Sequence, residues 1–139
     1  MRKLLIQLDS DKLPSAFDRV AAVDAGADAV LSYGGVVPGE VASLVHGTIF
    51  ARSPEDLRHT AIWVGGSSVP LAEEVLHAVR ASFFGPFRVS VMMDANGCNT
   101  TAAATVALLR RTIPLADQRA VVLAGLGPVG VQVGELLVS

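Results

Sequence analysis

The stretch that decides the fold is Thr60–Asp94, TAIWVGGSSVPLAEEVLHAVRASFFGPFRVSVMMD. It opens with an apolar run that ends in two glycines, which is typical of a buried strand and its turn. A second apolar run, Phe87–Asp94, closes the stretch and predicts another strand. A strand, a helix and a strand in this order predict a parallel βαβ unit. The helix between them is indicated by apolar residues at helical spacing: Ala72, Val75, Leu76, Val79 and Phe83.

The rest of the chain continues this alternation of apolar runs and helical patterns. Strands rich in Val, Ile and Leu and separated by helices predict an α/β fold, in which a parallel sheet is sandwiched by helices. Ligands of such sheets bind beyond the carboxyl ends of the strands. The further strands are predicted at Lys3–Asp9, Asp28–Gly34, Thr48–Ala51 and Arg119–Ala124. The other helices are predicted at 14–26 (with Phe17, Val20, Ala21 and Val23 on one face), from Pro38 to about His46, at Asn99–Thr112 and after Gly127.

Composition excludes several classes of protein. The chain has 139 residues, of which 51% are hydrophobic and 17% charged, so we expect part of its apolar surface to be covered by another domain or chain. A net charge of −2 argues against a nucleic-acid partner. Every apolar run is interrupted well before the roughly 18 residues of a membrane span, and the start is too short and polar for a signal peptide. A single cysteine, Cys98, fits a cytoplasmic protein.

The segment 125–130, GLGPVG, matches the dinucleotide-binding pattern G-x-G-x-x-G. It follows a predicted strand and opens a predicted helix, which is the context that gives the motif meaning. The first glycine permits the tight turn, the second lets the backbone approach a pyrophosphate, and the third allows close helix–strand packing. An ordinary glycine turn is the alternative. The predicted cofactor-binding residues here are Gly125, Gly127, Pro128, Val129 and Gly130.

The remainder of a nucleotide site is not present in this sequence. The residue that reads the ribose 2′ position lies roughly 20 residues beyond the glycines, which is past Ser139. We therefore expect a complete first domain over residues 1–112, a loop at 113–118, and the first βα unit of a truncated Rossmann domain over residues 119–139. NAD and NADP cannot be distinguished, because the deciding residues lie past the end.

Several segments closely resemble the bacterial NAD(P)-dependent methylene-tetrahydromethanopterin dehydrogenases. They are FFGPFRVSVMMDANGCNTTAAATVALL at 83–109, TAIWVGG at 60–66, RAVVLAGLGPVG at 119–130 and KLLIQLDSDKLPSAFD at 3–18. The resemblance implies an amino-acid-dehydrogenase-like N-terminal domain, a Rossmann domain for NAD or NADP, a cleft between them, and a homo-oligomer. One departure is Leu126, which stands where family members usually have a small residue.

The reaction that the resemblance implies is hydride transfer from the methylene bridge of a reduced pterin to NAD(P)+. The bridging nitrogens stabilise the developing cation, so the step needs alignment and suitable dipoles rather than a side-chain base. This agrees with a sequence that shows no Ser-His-Asp spacing, metal cluster or activated cysteine. The related bifunctional folate dehydrogenase–cyclohydrolases use a lysine of their first domain to handle water at the methenyl carbon. Here the only lysines, Lys3 and Lys12, precede the later strand ends, so this comparison favours a dehydrogenase without cyclohydrolase activity.

The candidate catalytic residues are Asp94 and Asn96, which follow a predicted strand. Asp94 is expected to face the pterin or the developing cation, and a turn-forming aspartate is the alternative. The resemblance places Asn99 and Thr100 near the pterin and Thr101 near the cofactor. Alternatively, Asn99 caps the helix and the two threonines fill its first turn.

The other candidate substrate-binding residues are Asp18, Tyr33 and Gly66. Asp18, or Asp9 at the end of the first strand, would bind amide groups of the pterin ring; a solvated carboxylate is the alternative. Tyr33 would stack on the pterin or donate to a carbonyl, and otherwise is a half-buried strand aromatic. Gly66 would line the same site with Gly65 and Ser67, or serve as a plain turn.

Two other functions remain open at this point. One is a non-catalytic module that binds a pterin or another subunit, and the other is a methylene-tetrahydrofolate dehydrogenase. The three histidines, His46, His59 and His77, are expected to be structural or on the surface.

Overall fold

The computed structural model describes residues 1–139, and the strands of one parallel sheet alternate with helices along the chain. The strands are β1 (Leu4–Asp9), β2 (Ala29–Tyr33), β3 (Thr60–Gly65) and β4 (Ser90–Met93). The α-helices are α1 (Ala16–Asp24), α2 (Val41–Ile49), α3 (Val69–Ala81), α4 (Cys98–Thr112) and α5 (Pro128–Val138). All strands run parallel, in the order β2-β1-β3-β4. The predicted α/β fold with a parallel sheet and flanking helices is confirmed.

The chain divides into two units, Met1–Asn96 and Gly97–Ser139. The first unit contains the whole sheet with α1, α2 and α3. The second contains α4 and α5. None of the helices is both long and apolar enough to cross a membrane.

One face of the sheet carries the hydrophobic core of the first unit, and we call it the core face. It presents alternate residues of each strand, as the period of two requires. The central strands β1 and β3 contribute Ile6, Leu8, Ile62 and Val64, none more than 4% exposed. The helices α2 and α3 complete this core with Val41, Val45, Ile49, Ala72, Val75 and Val79.

The opposite face of the same strands is polar, and we call it the polar face. Gln7 and Asp9 lie on it from β1, with Trp63 and Gly65 as their partners in β3. Ser32 of β2 donates a hydrogen bond of 2.7 Å to Gln7 Oε1. Gln7 and Asp9 are each 1% exposed. Both make hydrogen bonds, as buried polar groups in proteins usually do.

The helix α1 forms as predicted, but its apolar face is not buried. Phe17, Val20 and Val23 are 82%, 61% and 56% exposed, and no residue of α1 is buried. At its start, Ser15 is hydrogen-bonded to Gln7 and Asp9 of β1, and the Asp18 carboxylate lies beside Gly65. The helix also contacts β2. The helical spacing therefore predicted the helix, but it did not specify what its apolar face contacts.

The strand predicted at Thr48–Ala51 is wrong, because α2 continues to Ile49. Val41, Val45 and Ile49 follow one another at intervals of four residues and are all 0% exposed. This spacing places them on one stripe of a helix, and burial of that stripe outweighs the strand preference of the short TIFA segment.

The strand predicted at Arg119–Ala124 is also wrong, since this segment has no regular structure. A strand needs a neighbour for its backbone hydrogen bonds, and the second unit contains no other strand. Helices α4 and α5 instead pack on each other through Ala102, Val106 and Val133.

Candidate functional site

Aspartates tie the loop after β1 to its neighbours at the carboxyl ends of the strands. The Asp9 carboxylate accepts the backbone N–H groups of Asp11 and Ser15, at 2.8 and 3.0 Å. Asp11 in turn accepts from the backbone N–H and the hydroxyl of Ser67, at 3.0 and 2.8 Å. The loops after β1 and β3 are therefore cross-linked by charge-assisted hydrogen bonds.

The loops after β2 and β4 join the same edge through backbone hydrogen bonds. Gly35 N–H donates to the Asp11 carbonyl at 2.8 Å, and Val36 N–H donates to the Asp9 carbonyl at 3.0 Å. From the other side, Asn96 N–H donates to the Gly66 carbonyl at 2.7 Å. The loops after Tyr33, Gly65 and Asp94 thus meet on one side of the first unit, which we call the carboxyl edge.

Gly66 allows this edge to close. Its φ of +122° is a conformation that side chains rarely adopt, and a Cβ there would collide with the Ser10 hydroxyl oxygen. Asn96 also has a left-handed backbone, with φ 53°, which asparagine tolerates better than most residues. Both residues therefore shape the backbone of the carboxyl edge.

An acidic cluster surrounds Gly65 on the polar face. A Cβ placed on Gly65 would lie 3.3 Å from Asp9 Oδ2, 3.4 Å from Asp18 Oδ2 and 3.5 Å from Trp63 Nε1. Asp94, which is 8% exposed, adds another negative charge near Asp18. The absence of a side chain at Gly65 thus allows two carboxylates and an indole N–H to converge.

The cluster shifts the protonation of Asp18. Burial is the main cause that raises its pKa, and the negative charges of Asp9 and Asp94 raise it further. The Trp63 indole N–H and the Ser15 hydroxyl act in the opposite direction and lower the pKa. A partly buried carboxylate in an acidic setting favours ligands that bring N–H donors or positive charge.

Of the residues predicted to bind substrate, Tyr33 lies on the wrong face to meet Asp18. It pairs with Leu8, so it points to the core face, whereas Asp18 lies on the polar face with Asp9 and Gly65. Tyr33 instead lines a cavity of about 320 Å³ with Leu31 and Leu44. Asp18, Gly66, Asp94 and Asn96 lie together at the carboxyl edge. The loop that follows Tyr33 also reaches this edge, but the Tyr33 side chain does not.

Asn99, Thr100 and Thr101 lie in the first turn of α4, in the second unit. The alternative that Asn99 caps this helix is wrong, because Gly97 occupies the N-cap with a left-handed backbone, φ 64°. Thr100 donates its hydroxyl to the Gly97 carbonyl at 3.5 Å. The helix therefore begins at Cys98, two residues earlier than a cap at Asn99 would require.

The predicted glycine turn precedes α5 in the second unit. The helix begins at Pro128, with Gly127 at its N-cap. A Cβ on Gly130 would lie 2.6 Å from Gly125 Cα, so the helix packs directly on the turn. This close approach and the open N–H groups of the first helical turn fit a phosphate group, although the strand that usually precedes such a turn is not formed.

Trp63 is the site residue that the sequence analysis missed. Its apolar neighbours predict only a buried strand, yet the period of two places it beside Gln7 on the polar face. Polar residues at Gln7 and Asp9 were the available signal that this face differs from the other. Asp11 was missed too, because only the folded loops bring it to Ser67.

Comparisons with known proteins agree with this architecture. A family model described as "Methylene-tetrahydromethanopterin dehydrogenase, N-terminal" matches residues 16–96. The chain is 49% identical over 126 residues to the "Bifunctional protein MdtA" of Methylorubrum extorquens, an alignment that covers 89% of this chain and 44% of the relative. It is 35% identical over 134 residues to the "NAD(P)-dependent methylenetetrahydromethanopterin dehydrogenase" of the same organism, covering 92% of this chain and 45% of the relative.

The chain therefore spans less than half the length of each of these curated relatives. The matched family model covers more than half of the chain, including every strand of the sheet except β1. On these grounds the chain belongs to the methylene-tetrahydromethanopterin dehydrogenase family and corresponds to its N-terminal region.

Proposed function

We propose that this chain is the pterin-side portion of an NAD(P)-dependent methylene-tetrahydromethanopterin dehydrogenase, and that its carboxyl edge binds the reduced pterin. Family membership supports the substrate class, since one relative is named for this activity. The observation that carries the site is the convergence of Asp9, Asp18 and Trp63 around Gly65. Reduced pterins carry amino and ring N–H donors, which this acidic cluster can accept.

In this proposal Asp18 binds the donors of the pterin ring. Asp9 is engaged by two backbone N–H groups, so it supports the loop rather than the ligand. Asp94 lies close enough to add negative potential, which stabilises the positive charge that develops as hydride leaves the methylene carbon. No proton has to be removed by a side chain in this step, so orientation and electrostatics are what these residues supply.

The C-terminal segment contributes the nucleotide side of the proposal. Residues 119–139 begin the nucleotide-binding region, and residues 1–112 form the pterin side. The glycine turn and the first turn of α5 would hold phosphate through backbone N–H groups, with Gly125, Gly127 and Gly130 giving close approach. When NAD(P)+ is bound, it supplies the hydride acceptor. Asn99 and Thr100 are proposed as pterin-binding residues and Thr101 as a cofactor-binding residue.

We also propose that the 139-residue chain transfers little hydride by itself. The Arg119–Ala124 segment, which precedes the glycine turn, forms no strand and so gives the nucleotide little support. Turnover with methylene-tetrahydromethanopterin and NAD+ or NADP+ tests this part. Normal turnover by the chain alone would refute it.

Binding of methylene-tetrahydromethanopterin to the chain tests the site. We expect Asp18→Asn to weaken binding roughly 10-fold to 100-fold, because a hydrogen bond to a charged group contributes about 1.5–3 kcal/mol. Asp24→Asn, on the exposed end of the same helix, is the matched control and should bind like the unmodified chain. Absence of binding, or equal losses in both variants, would overturn the proposal.

The same titration with methylene-tetrahydrofolate distinguishes the carrier. Tighter binding of the folate would replace the methanopterin assignment with a folate dehydrogenase. Sedimentation of the chain tests the homo-oligomer that we include in the proposal.

A further inference from the structure

We propose that Trp63 is a positioning residue, whose indole N–H holds the Asp18 carboxylate ready for the ligand. The inference deepens the proposed function and rests on it only for the identity of the ligand. Four observations in the first unit support it.

The first observation is that Asp18 is not used to cap its own helix. The sequence Ser15-Ala16-Phe17-Asp18 has the spacing of a capping box, in which the acidic residue at the third helical position bonds the N-cap N–H. Half of the box is present, since Ser15 Oγ accepts from Asp18 N–H at 3.2 Å. The Ser15 N–H, however, donates to Asp9 Oδ2 at 3.0 Å. Asp9 thus replaces Asp18 in the cap and leaves the Asp18 carboxylate turned toward Gly65.

The second observation concerns the indole nitrogen. Trp63 Nε1 is buried and completes no well-formed hydrogen bond, which is unfavourable for a donor removed from water. It nevertheless lies against the Asp18 carboxylate closely enough to favour the charged form. Asp9 Oδ2 also lies near Gly65, but it already accepts the Ser15 N–H, so the Asp18 carboxylate is the group that we assign to the indole N–H.

The third observation is the space at Gly65. A Cβ there would lie 3.4 Å from Asp18 Oδ2 and 3.5 Å from Trp63 Nε1. A side chain at this position would stand between the two groups or push them apart. Glycine keeps the approach of carboxylate and indole open.

The fourth observation is the charge around Asp18. Asp9 faces it from the end of β1 and Asp94 from the end of β4, and both disfavour its ionised form, as does burial. Trp63 from β3 and Ser15 from the start of α1 are the groups that favour the ionised form. Without the indole N–H the pKa of Asp18 would be higher, so the carboxyl would stay protonated to a higher pH and would accept the donors of the ligand less strongly.

The first test uses the fact that Trp63 is the only tryptophan, so the chain gives a single indole N–H resonance. We expect that resonance, recorded on the 139-residue chain without ligand, to shift with pH as Asp18 titrates. The titration should disappear in Asp18→Asn and persist in the control Asp24→Asn. A resonance that titrates identically in Asp18→Asn would overturn the inference, whether or not the chain binds a pterin.

The second test measures the consequence for binding. In Trp63→Phe, which keeps the ring but removes the donor, the acid limb of methylene-tetrahydromethanopterin binding should move to higher pH. Affinity well above that limb should change less than about threefold, because Asp18 is then ionised in both proteins. An acid limb at the unchanged pH would contradict the positioning role.

Gly65→Ala provides a variant that keeps the tryptophan. It should reduce the pH-dependent shift of the indole resonance by separating the indole from Asp18. Retention of the full shift in Gly65→Ala would show that Gly65 does not maintain this contact.

Discussion

The two faces of the sheet are built from the same strands and hold together for different reasons. The core face is stabilised by burial of aliphatic side chains such as Leu8, Ile62 and Val45, each no more than 1% exposed. The polar face has no comparable cluster and is organised by hydrogen bonds to Gln7 and Asp9. Stability is thus concentrated on one face, and the chemistry that can recognise a ligand on the other.

The comparison explains why α1 differs from the other helices of this unit. Helices α2 and α3 each bury three residues, whereas α1 buries none. Its first turn instead supplies Ser15 and Asp18 to the polar face. A helix held mainly by its polar first turn can place a carboxylate, but it adds little to the hydrophobic core.

The largest effect is expected where backbone geometry, rather than burial, maintains the carboxyl edge. Gly66→Ala should lower the free energy of unfolding by roughly 2–4 kcal/mol, because it adds strain at positive φ and a collision with Ser10. Urea denaturation measures this. Gly39→Ala is the control, since a Cβ there would meet no atom within 4 Å. Equal stability of the two variants would show that the edge is not constrained as described.

The next effect contrasts two valines in helices. Val45→Ala should destabilise the chain by about 2 kcal/mol, because it removes two buried methyl groups from the core face. Val20→Ala makes the same change on α1, where the side chain is 61% exposed, and should alter stability by less than about 0.5 kcal/mol. Similar losses in the two variants would mean that α1 is packed more firmly than its exposure indicates.

A smaller loss is expected from the hydrogen bonds of the polar face. Asp9→Asn leaves one acceptor oxygen for the N–H groups of Asp11 and Ser15 and presents an amide donor to the other. We expect a destabilisation of about 1–2 kcal/mol, measured by urea denaturation. Asp24→Asn, at an exposed position, should have no measurable effect. If Asp9→Asn were neutral, the loops would not depend on this carboxylate.

The smallest effect is the pH dependence contributed by Asp18. Its pKa is raised in the folded chain, so protonation is favoured by folding. The unmodified chain should therefore gain stability relative to Asp18→Asn as the pH falls through the folded-state pKa, and lose that advantage as the pH rises. Thermal unfolding of both proteins from about pH 7 to about pH 3 measures the difference. A difference that stays constant, or grows in the opposite direction, would contradict the raised pKa.

The accuracy of the sequence predictions follows the same division between faces. On the core face, the apolar runs and the spacing of Ala72, Val75 and Val79 were sufficient, because burial alone determines those elements. The end of α2 was missed, since a short apolar run such as Thr48–Ala51 fits a strand or a helix. On the polar face, Asp18 was recognised as a candidate, whereas Trp63 was not.

By itself, the sequence determined the alternation of strands and helices, the parallel sheet and the family, because these depend on local periodicity and on motifs that are contiguous in the chain. Only the tertiary structure decided that Tyr33 and Asp18 lie on different faces of the sheet, and that Asp18 and Trp63 approach each other beside Gly65. It also decided that Arg119–Ala124 is not a strand. The physical reason is that face, register and strand pairing depend on partners distant in the chain, and a local pattern does not specify those partners.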